Sequence, residues 1–142
     1  NKNGVIFYLT RFLQVDLSLI INIGLHPYCN RITVSNANKI AEYFISQNIS
    51  KQQLINGIYV VLYDYELVKQ QYQEMMMMDE LQPFETEWKQ NPYILQLLLY
   101  YIEKKYSFTG NGVFITQHLH KFTFQLNEDN KKPSLKVIDK FC

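Results

Sequence analysis

A long apolar stripe between residues 50 and 71 constrains the fold of this chain more than any other feature. The segment reads SKQQLINGIYVVLYDYELVKQQ, and its apolar and aromatic side chains recur at i, i+3, i+4 and i+7. Val60 and Tyr63 widen the stripe beyond one helical face. A helix that is apolar over most of its circumference is normally surrounded by other helices. The pattern therefore predicts, within a helical domain, a central helix that begins at Ser50 and either reaches Gln73 or continues through the four Met at 75–78.

Capping signals predict where several helices begin and end. Ser50 and Gln53 match the S-x-x-Q capping box that opens the central helix. Ser35 and Asn36 are suitable caps for a preceding helix, which we expect to end at Asn48. Residues 4–24 contain two apolar runs and predict one broken helix or two short ones.

A further helix is predicted after Asn91-Pro92, because a capping residue followed by proline is a typical helix start. Its inward side chains are expected to be Leu95, Leu98, Leu99 and Ile102. Residues 113–126 are ambiguous, since Phe122 and Phe124 alternate as in a strand while the same segment also fits a short helix. We favour the helix, because a single strand would have no obvious partner.

Together these patterns predict an all-α fold, an irregular bundle of about five to six helices, with one short β-like segment near 113–126 as an open alternative. The length of 142 residues suits a single helical domain, 1–142. Because the first residue is Asn, we expect it to be a fragment of a longer chain. Residues 75–91, which begin with four consecutive Met and contain several acids, are interpreted as an insertion.

The net charge of +1 gives no electrostatic footprint for nucleic acid or an anionic membrane. We therefore expect neither direct nucleic-acid binding nor membrane association. The two cysteines, Cys29 and Cys142, lie far apart, which suits a reducing compartment without a disulfide framework.

Catalytic and metal-binding patterns are weak. His118 and His120 form an H-x-H pair, but zinc needs three or four ligands and the remaining histidine is the distant His26. Cys29 lies three residues from His26 without a visible third catalytic group. We therefore predict no enzymatic activity, no metal and no cofactor.

Tyrosine and methionine are abundant, and two explanations stay open. An AT-rich genome favours Tyr, Asn, Lys and Ile; alternatively, some of these side chains form a protein interface, where aromatics and Met are enriched. On the second explanation we predict partner binding by the side chains that have no obvious place in the core: Tyr63, Tyr72, Met76, Phe84, Trp88 and Tyr101.

Three short motifs, in the same order, resemble one known family. Residues 53–65 fit Q-x-L-x-A-L-Y-L-L-x-x-x-Y in part, Asn91-Pro92-Tyr93 is similar to N-P-F, and Ile115-Thr116 with Phe122 and Gln125-Leu126 resembles a third motif. The pattern resembles the N-terminal helical domain of subunit eleven of the CCR–NOT mRNA deadenylase complex.

The resemblance implies a non-catalytic adaptor or scaffold subunit that mediates protein–protein assembly in mRNA decay and deadenylation. Its implied partners are the tetratricopeptide-repeat subunit ten and the NOT scaffold, and its implied location is cytoplasmic, with nuclear presence also expected. The alternative is a structural accessory subunit of a ciliary or mitochondrial assembly.

Overall fold

The computed structural model describes residues 2–22, 33–79, 81–82, 85–106, 122–126 and 133–137. In this part of the chain seven α-helices follow one another, with a 3₁₀ helix, Ile58–Leu62, between the fourth and the fifth. The helices are α1 Lys2–Leu13, α2 Leu17–Asn22, α3 Val34–Ser46, α4 Lys51–Asn56, α5 Tyr65–Met76, α6 Glu85–Gln90 and α7 Ile94–Tyr106. Two strands, β1 Phe122–Leu126 and β2 Pro133–Val137, complete the description. The predicted all-α class is confirmed.

The prediction of one continuous central helix is wrong. The capping box at Ser50 and Gln53 is present, but α4 ends at Asn56 after only six residues. Gly57 follows with φ −127° and ψ 36°, outside the helical region. The next residues, IYVVL, lose side-chain freedom in an α-helix because most are β-branched or aromatic. The chain therefore tightens into the 3₁₀ helix and becomes extended at Tyr63, before α5 begins.

This break also explains the wide apolar stripe. A 3₁₀ helix has three residues per turn, so side chains three apart lie on the same side. Ile58 and Val61 are three apart and both are buried, and Val60 is buried beside them. The apolar residues thus contribute to the core from a short buried 3₁₀ helix. Because the predicted central helix is divided into α4, the 3₁₀ helix and α5, the described chain has more helices than the predicted five to six.

Long and short helices alternate along the described chain. The long helices α1, α3, α5 and α7 have 12, 13, 12 and 13 residues, and the short helices α2, α4 and α6 have 6 each. The long helices begin at residues 2, 34, 65 and 94, which gives a period of about thirty residues. A fixed period of this length is typical of helical-repeat proteins, in which each helix pair is one structural unit.

The chain divides into two compact units, Asn1–Lys69 and Gln70–Cys142. Whether the chain is one domain, and whether 75–91 is an insertion, stay predictions; α5 ends and α6 lies within 75–91.

In the first unit α1 packs against α2 and α3, and α3 packs against α4 and the 3₁₀ helix. The Tyr8 hydroxyl donates a hydrogen bond to Asn38 Oδ1 at 2.6 Å and so joins α1 to α3. The core residues include Val5, Leu9, Ile20, Ile40, Phe44 and Leu54.

Two backbone positions explain how α1 and α3 end. Gln14 has φ 57° after α1, and of the two alternatives for residues 4–24, one broken helix or two short helices, the structure has two separate helices. Asn48 has φ 67° after α3, as expected for a residue that tolerates the left-handed region. The start of α3 differs from the prediction: Thr33 is the N-cap, and its side chain accepts a hydrogen bond from the Asn36 amide.

In the second unit α6 packs against α7. The predicted inward face of α7 is confirmed, since Leu95, Leu98, Leu99 and Ile102 are all buried. The Asn91 side chain accepts a hydrogen bond from the Tyr93 amide at 2.8 Å, and the helix itself begins at Ile94.

The helix favoured for 113–126 is wrong at its end, where β1 forms an antiparallel pair with β2. Phe122 pairs with Val137, and Leu126 pairs with Pro133. A partner strand was not predicted, because the sequence of Pro133–Val137 is typical of a loop or turn when it is considered alone. Residues 113–121 lie outside the described residues.

Candidate functional site

The six side chains predicted to bind a partner are mostly buried. The solvent-exposed fraction of the residue is 7% for Tyr63, 2% for Tyr72, 7% for Met76 and 2% for Trp88. Tyr101 is half-buried, and Phe84 lies outside the described residues. They were chosen for lacking a place in a core built around one long helix, and the broken helix gives Tyr63 such a place. Partner binding by these residues stays a prediction.

Two tyrosines and a lysine form a distinct cluster in the first unit. The rings of Tyr43, from α3, and Tyr65, from α5, lie edge to face, with centroids 6.2 Å apart and an interplanar angle of 75°. Lys69 Nζ lies 6.0 Å from the centroid of the Tyr43 ring and 5.8 Å from that of Tyr65. We call these three residues the aromatic–lysine cluster.

Helical spacing and one polar side chain position this cluster. Tyr65 and Lys69 are four residues apart, so they lie on the same face of α5. Asn36, in the first turn of α3, donates from Nδ2 to the Tyr63 carbonyl at 2.8 Å and accepts at Oδ1 from the Tyr65 amide at 2.9 Å. The start of α5 is therefore held directly against α3, which carries Tyr43. From the sequence, Asn36 was expected only to cap α3.

The cluster offers aromatic rings beside positive charge. All three side chains are half-buried, so part of each remains accessible. Lys39 is exposed and lies one helical turn before Tyr43 on the same face of α3. Glu42 and Glu66 are exposed, and each lies beside a cluster tyrosine in the sequence, which places it about 100° around the helix.

The contact of Lys69 with the rings is of the weak, solvent-accessible kind, worth about 0.5–1 kcal/mol. The sequence contained one signal for this cluster, since Tyr65 and Lys69 have the spacing i and i+4. The contact between Tyr65 and Tyr43 was not predicted, because one continuous central helix was assumed.

A second polar group lies in the second unit, around a depression of about 300 Å³ lined by Gln71, Glu74, Met78, Tyr101 and Lys105. Lys105 Nζ lies 3.0 Å from Glu74 Oε2, and this hydrogen bond is the main reason that the pKa of Glu74 is lowered. Gln71 Oε1 is fully buried and has no hydrogen-bond partner among the described residues. Because that atom is closed off from solvent, a molecule in the depression could not reach it, so the group makes a weaker candidate than the aromatic–lysine cluster.

Titration and metal chemistry add little to the described part of the chain. Burial, followed by the charge of Glu42, raises the pKa of Tyr8 to about 12, which keeps its hydroxyl a donor to Asn38. No group of three metal-ligating side chains occurs among the described residues. His26, Cys29, His118 and His120 all lie outside them. Within the described ranges, each helix is too short or too polar to cross a membrane.

Comparison with known proteins gives an informative relative. No protein-family model matches the chain, and no solved structure matches it. The chain is 25% identical over 122 residues to a Drosophila melanogaster protein named "Transcription termination factor 5, mitochondrial". The alignment covers 82% of this chain and 22% of the relative, so the chain spans about a fifth of the relative's length.

The resemblance to subunit eleven of the CCR–NOT complex is wrong, since the comparisons give similarity to a mitochondrial protein and none to that complex. The first motif runs through the break at Gly57, and Phe122 and Gln125-Leu126 of the third motif lie in a strand. Short apolar spacings of this kind recur in unrelated helical cores.

The deadenylation-scaffold function and the cytoplasmic and nuclear location are therefore wrong as well. Subunit ten and the NOT scaffold, the implied partners, lose the basis on which they were expected. What the chain is similar to is a mitochondrial transcription termination factor.

Proposed function

We propose that this chain is a helical-repeat segment of a mitochondrial gene-expression factor and that it contacts nucleic acid. The observation that carries the proposal is the match to the fly mitochondrial transcription termination factor, which extends over 82% of the chain. The role we propose is binding, in line with the non-catalytic role predicted from the sequence.

The architecture supports a binding role of this kind. Helix pairs that repeat along a chain build extended surfaces, and such surfaces make many modest contacts with a long ligand. Four long helices alternate with three short ones in the described residues, so this chain has the element order that such a surface needs. The aromatic–lysine cluster lies on two of the long helices, α3 and α5.

The net charge, from which no direct nucleic-acid binding was expected, limits the strength of the contact that we propose instead on the basis of the fly relative. Nucleic-acid affinity that rests on phosphate neutralisation grows with the number of lysines and arginines engaged. A segment with a net charge of +1 engages few phosphates. We therefore propose that it contributes part of a longer binding surface, as its share of the relative's length also suggests.

The test has two arms, both on the full-length protein that carries this sequence. A tagged copy expressed in cells of the source organism is expected to co-purify with mitochondria and to resist added protease until the membranes are opened. Ultraviolet cross-linking in intact cells is then expected to recover mitochondrial nucleic acid. Absence of the protein from mitochondria, or recovery of no nucleic acid there, would refute the proposal.

A second candidate is an accessory subunit of a mitochondrial assembly. Its support is the exposed apolar side chains of α1 and α2, where Phe7 is 53% exposed and Ile21 46%. Such side chains suit contact with another protein. Sedimentation of mitochondrial extract distinguishes the candidates: a large particle that survives nuclease digestion indicates protein assembly, whereas loss of the particle indicates nucleic acid.

A further inference from the structure

We propose that the aromatic–lysine cluster, together with Lys39, binds single-stranded nucleic acid. This inference rests on the proposed function, because it names the form of nucleic acid and the residues that contact it. In the proposed complex an unstacked base lies on a tyrosine ring, and the ammonium groups of Lys39 and Lys69 contact the flanking phosphates.

The arrangement of the two rings leaves aromatic surface for a base. With an interplanar angle of 75°, one ring directs its edge at the face of the other. Tyr43 also packs edge to face against Phe44, with ring centroids 5.3 Å apart, so Tyr65 is the ring that the base contacts in the proposed complex. Both side chains are half-buried, so each ring is held firmly while part of it stays accessible.

Lys69 can give way to a base. Its Nζ lies at 5.8 Å and 6.0 Å from the two centroids, near the outer limit for a cation–π contact. Lysine has a long flexible side chain, so its ammonium can move from the ring to a phosphate while the base takes its position. The same residue thus covers the rings in the free protein and neutralises charge in the complex.

The cluster suits a single strand better than a duplex. In a duplex the faces of the bases are already stacked on one another, whereas an unpaired base has a face free for an aromatic ring. Glu42 and Glu66, which flank the tyrosines in sequence, would repel the phosphates of either form and so limit the affinity of the contact.

Fluorescence anisotropy with the full-length protein tests this proposal. The probes are one labelled mixed sequence as single-stranded RNA, as single-stranded DNA and as duplex DNA, each at several salt concentrations. The tyrosine variants are Tyr65→Leu, which removes the ring, and Tyr65→Phe, which keeps it. The lysine variants are Lys39→Gln and, as matched control, Lys51→Gln, whose lysine is exposed on α4 and hydrogen-bonded to Gln14.

We expect both single strands, or one of them, to bind more tightly than the duplex. Tyr65→Leu should weaken this binding between about five-fold and about a hundred-fold, with Tyr65→Phe close to the unaltered protein. Lys39→Gln should reduce the slope of log affinity against log salt by about 0.7, while Lys51→Gln leaves it unchanged. The RNA and DNA arms identify which strand is bound.

Helical circular dichroism of each variant measures how much protein is folded, and affinities are compared per folded molecule. Tighter binding of the duplex, or equal affinities for Tyr65→Leu and Tyr65→Phe, would overturn this inference and leave the proposed function standing. Failure of the unaltered protein to bind all three probes would instead count against the proposed function itself.

Discussion

The link between Asn36 and the start of α5 can be tested by the substitution Asn36→Ala. Two short hydrogen bonds are lost, one to the Tyr63 carbonyl at 2.8 Å and one from the Tyr65 amide at 2.9 Å, together with a long and weak one to the Val61 carbonyl at 3.5 Å. At about 0.5–1.5 kcal/mol net for each bond, the loss is about 1–3 kcal/mol. Alanine is the better helix former and returns about 0.5 kcal/mol in α3. The unfolding free energy should therefore fall by about 0.5–2.5 kcal/mol.

The assay combines urea unfolding with amide hydrogen exchange, because the two measurements report on different scales. Ser35→Ala is the matched control, since Ser35 is exposed in the same turn of α3. In the Asn36→Ala variant we expect the Tyr65 amide to exchange at least about tenfold faster, relative to the control, since its acceptor is gone. If both variants unfold at the same urea concentration and protect Tyr65 equally, Asn36 does not hold α5 against α3 and the argument fails.

Three further predictions concern other parts of the described chain. Trp88→Ala should lower the unfolding free energy by about 3–5 kcal/mol, because Trp88 is almost fully buried. Urea unfolding measures the loss, and a value below about 1 kcal/mol would show that the Trp88 ring is not in the core. The pKa of Tyr8 should be about 12, above its usual value of 10.0, so its contribution to stability is complete below pH 10 and is lost as the pH rises through about 12. Absorbance titration of the protein against the Tyr8→Phe variant checks this pKa. A difference between the two titration curves that is centred near pH 10 would contradict it. Lys105→Ala should raise the pKa of Glu74 towards its ordinary value, because it removes the hydrogen bond from Lys105. The unfolding free energy should change by less than about 1 kcal/mol, because the ion pair is largely exposed. NMR titration of the Glu74 carboxylate measures the pKa, and an unchanged value would show that the pair does not persist in solution.

Local signals in the sequence were sufficient for several helix ends. The capping box at Ser50 and Gln53, the end of α3 near Asn48 and the buried face of α7 depend on neighbouring residues only. Such features are predictable because their hydrogen bonds and side-chain spacing lie within one helical turn. The all-α class follows from the sum of these signals.

The central segment could not be predicted in the same way. Residues 58–62 are apolar at spacings that fit an α-helix as well as a buried 3₁₀ corner, and the decision rests on Gly57 and on what α3 supplies. The strand at 122–126 likewise depends on a partner seven to fifteen residues further along, since Leu126 pairs with Pro133 and Phe122 pairs with Val137. The candidate site was missed for a related reason, since Tyr43 and Tyr65 meet only after the chain turns at that corner.

The alternation of long and short helices has an evolutionary consequence. When each helix pair contacts chiefly its neighbours, a gene can gain or lose a whole pair by duplication or deletion without redesign of the remaining core. Length would then change in steps of about thirty residues, whereas an insertion of one or two residues between Asn36 and Tyr65 would disturb the hydrogen bonds that join successive pairs. Proteins that differ in their number of helix pairs would in this way keep the same local architecture while their surfaces grow or shrink.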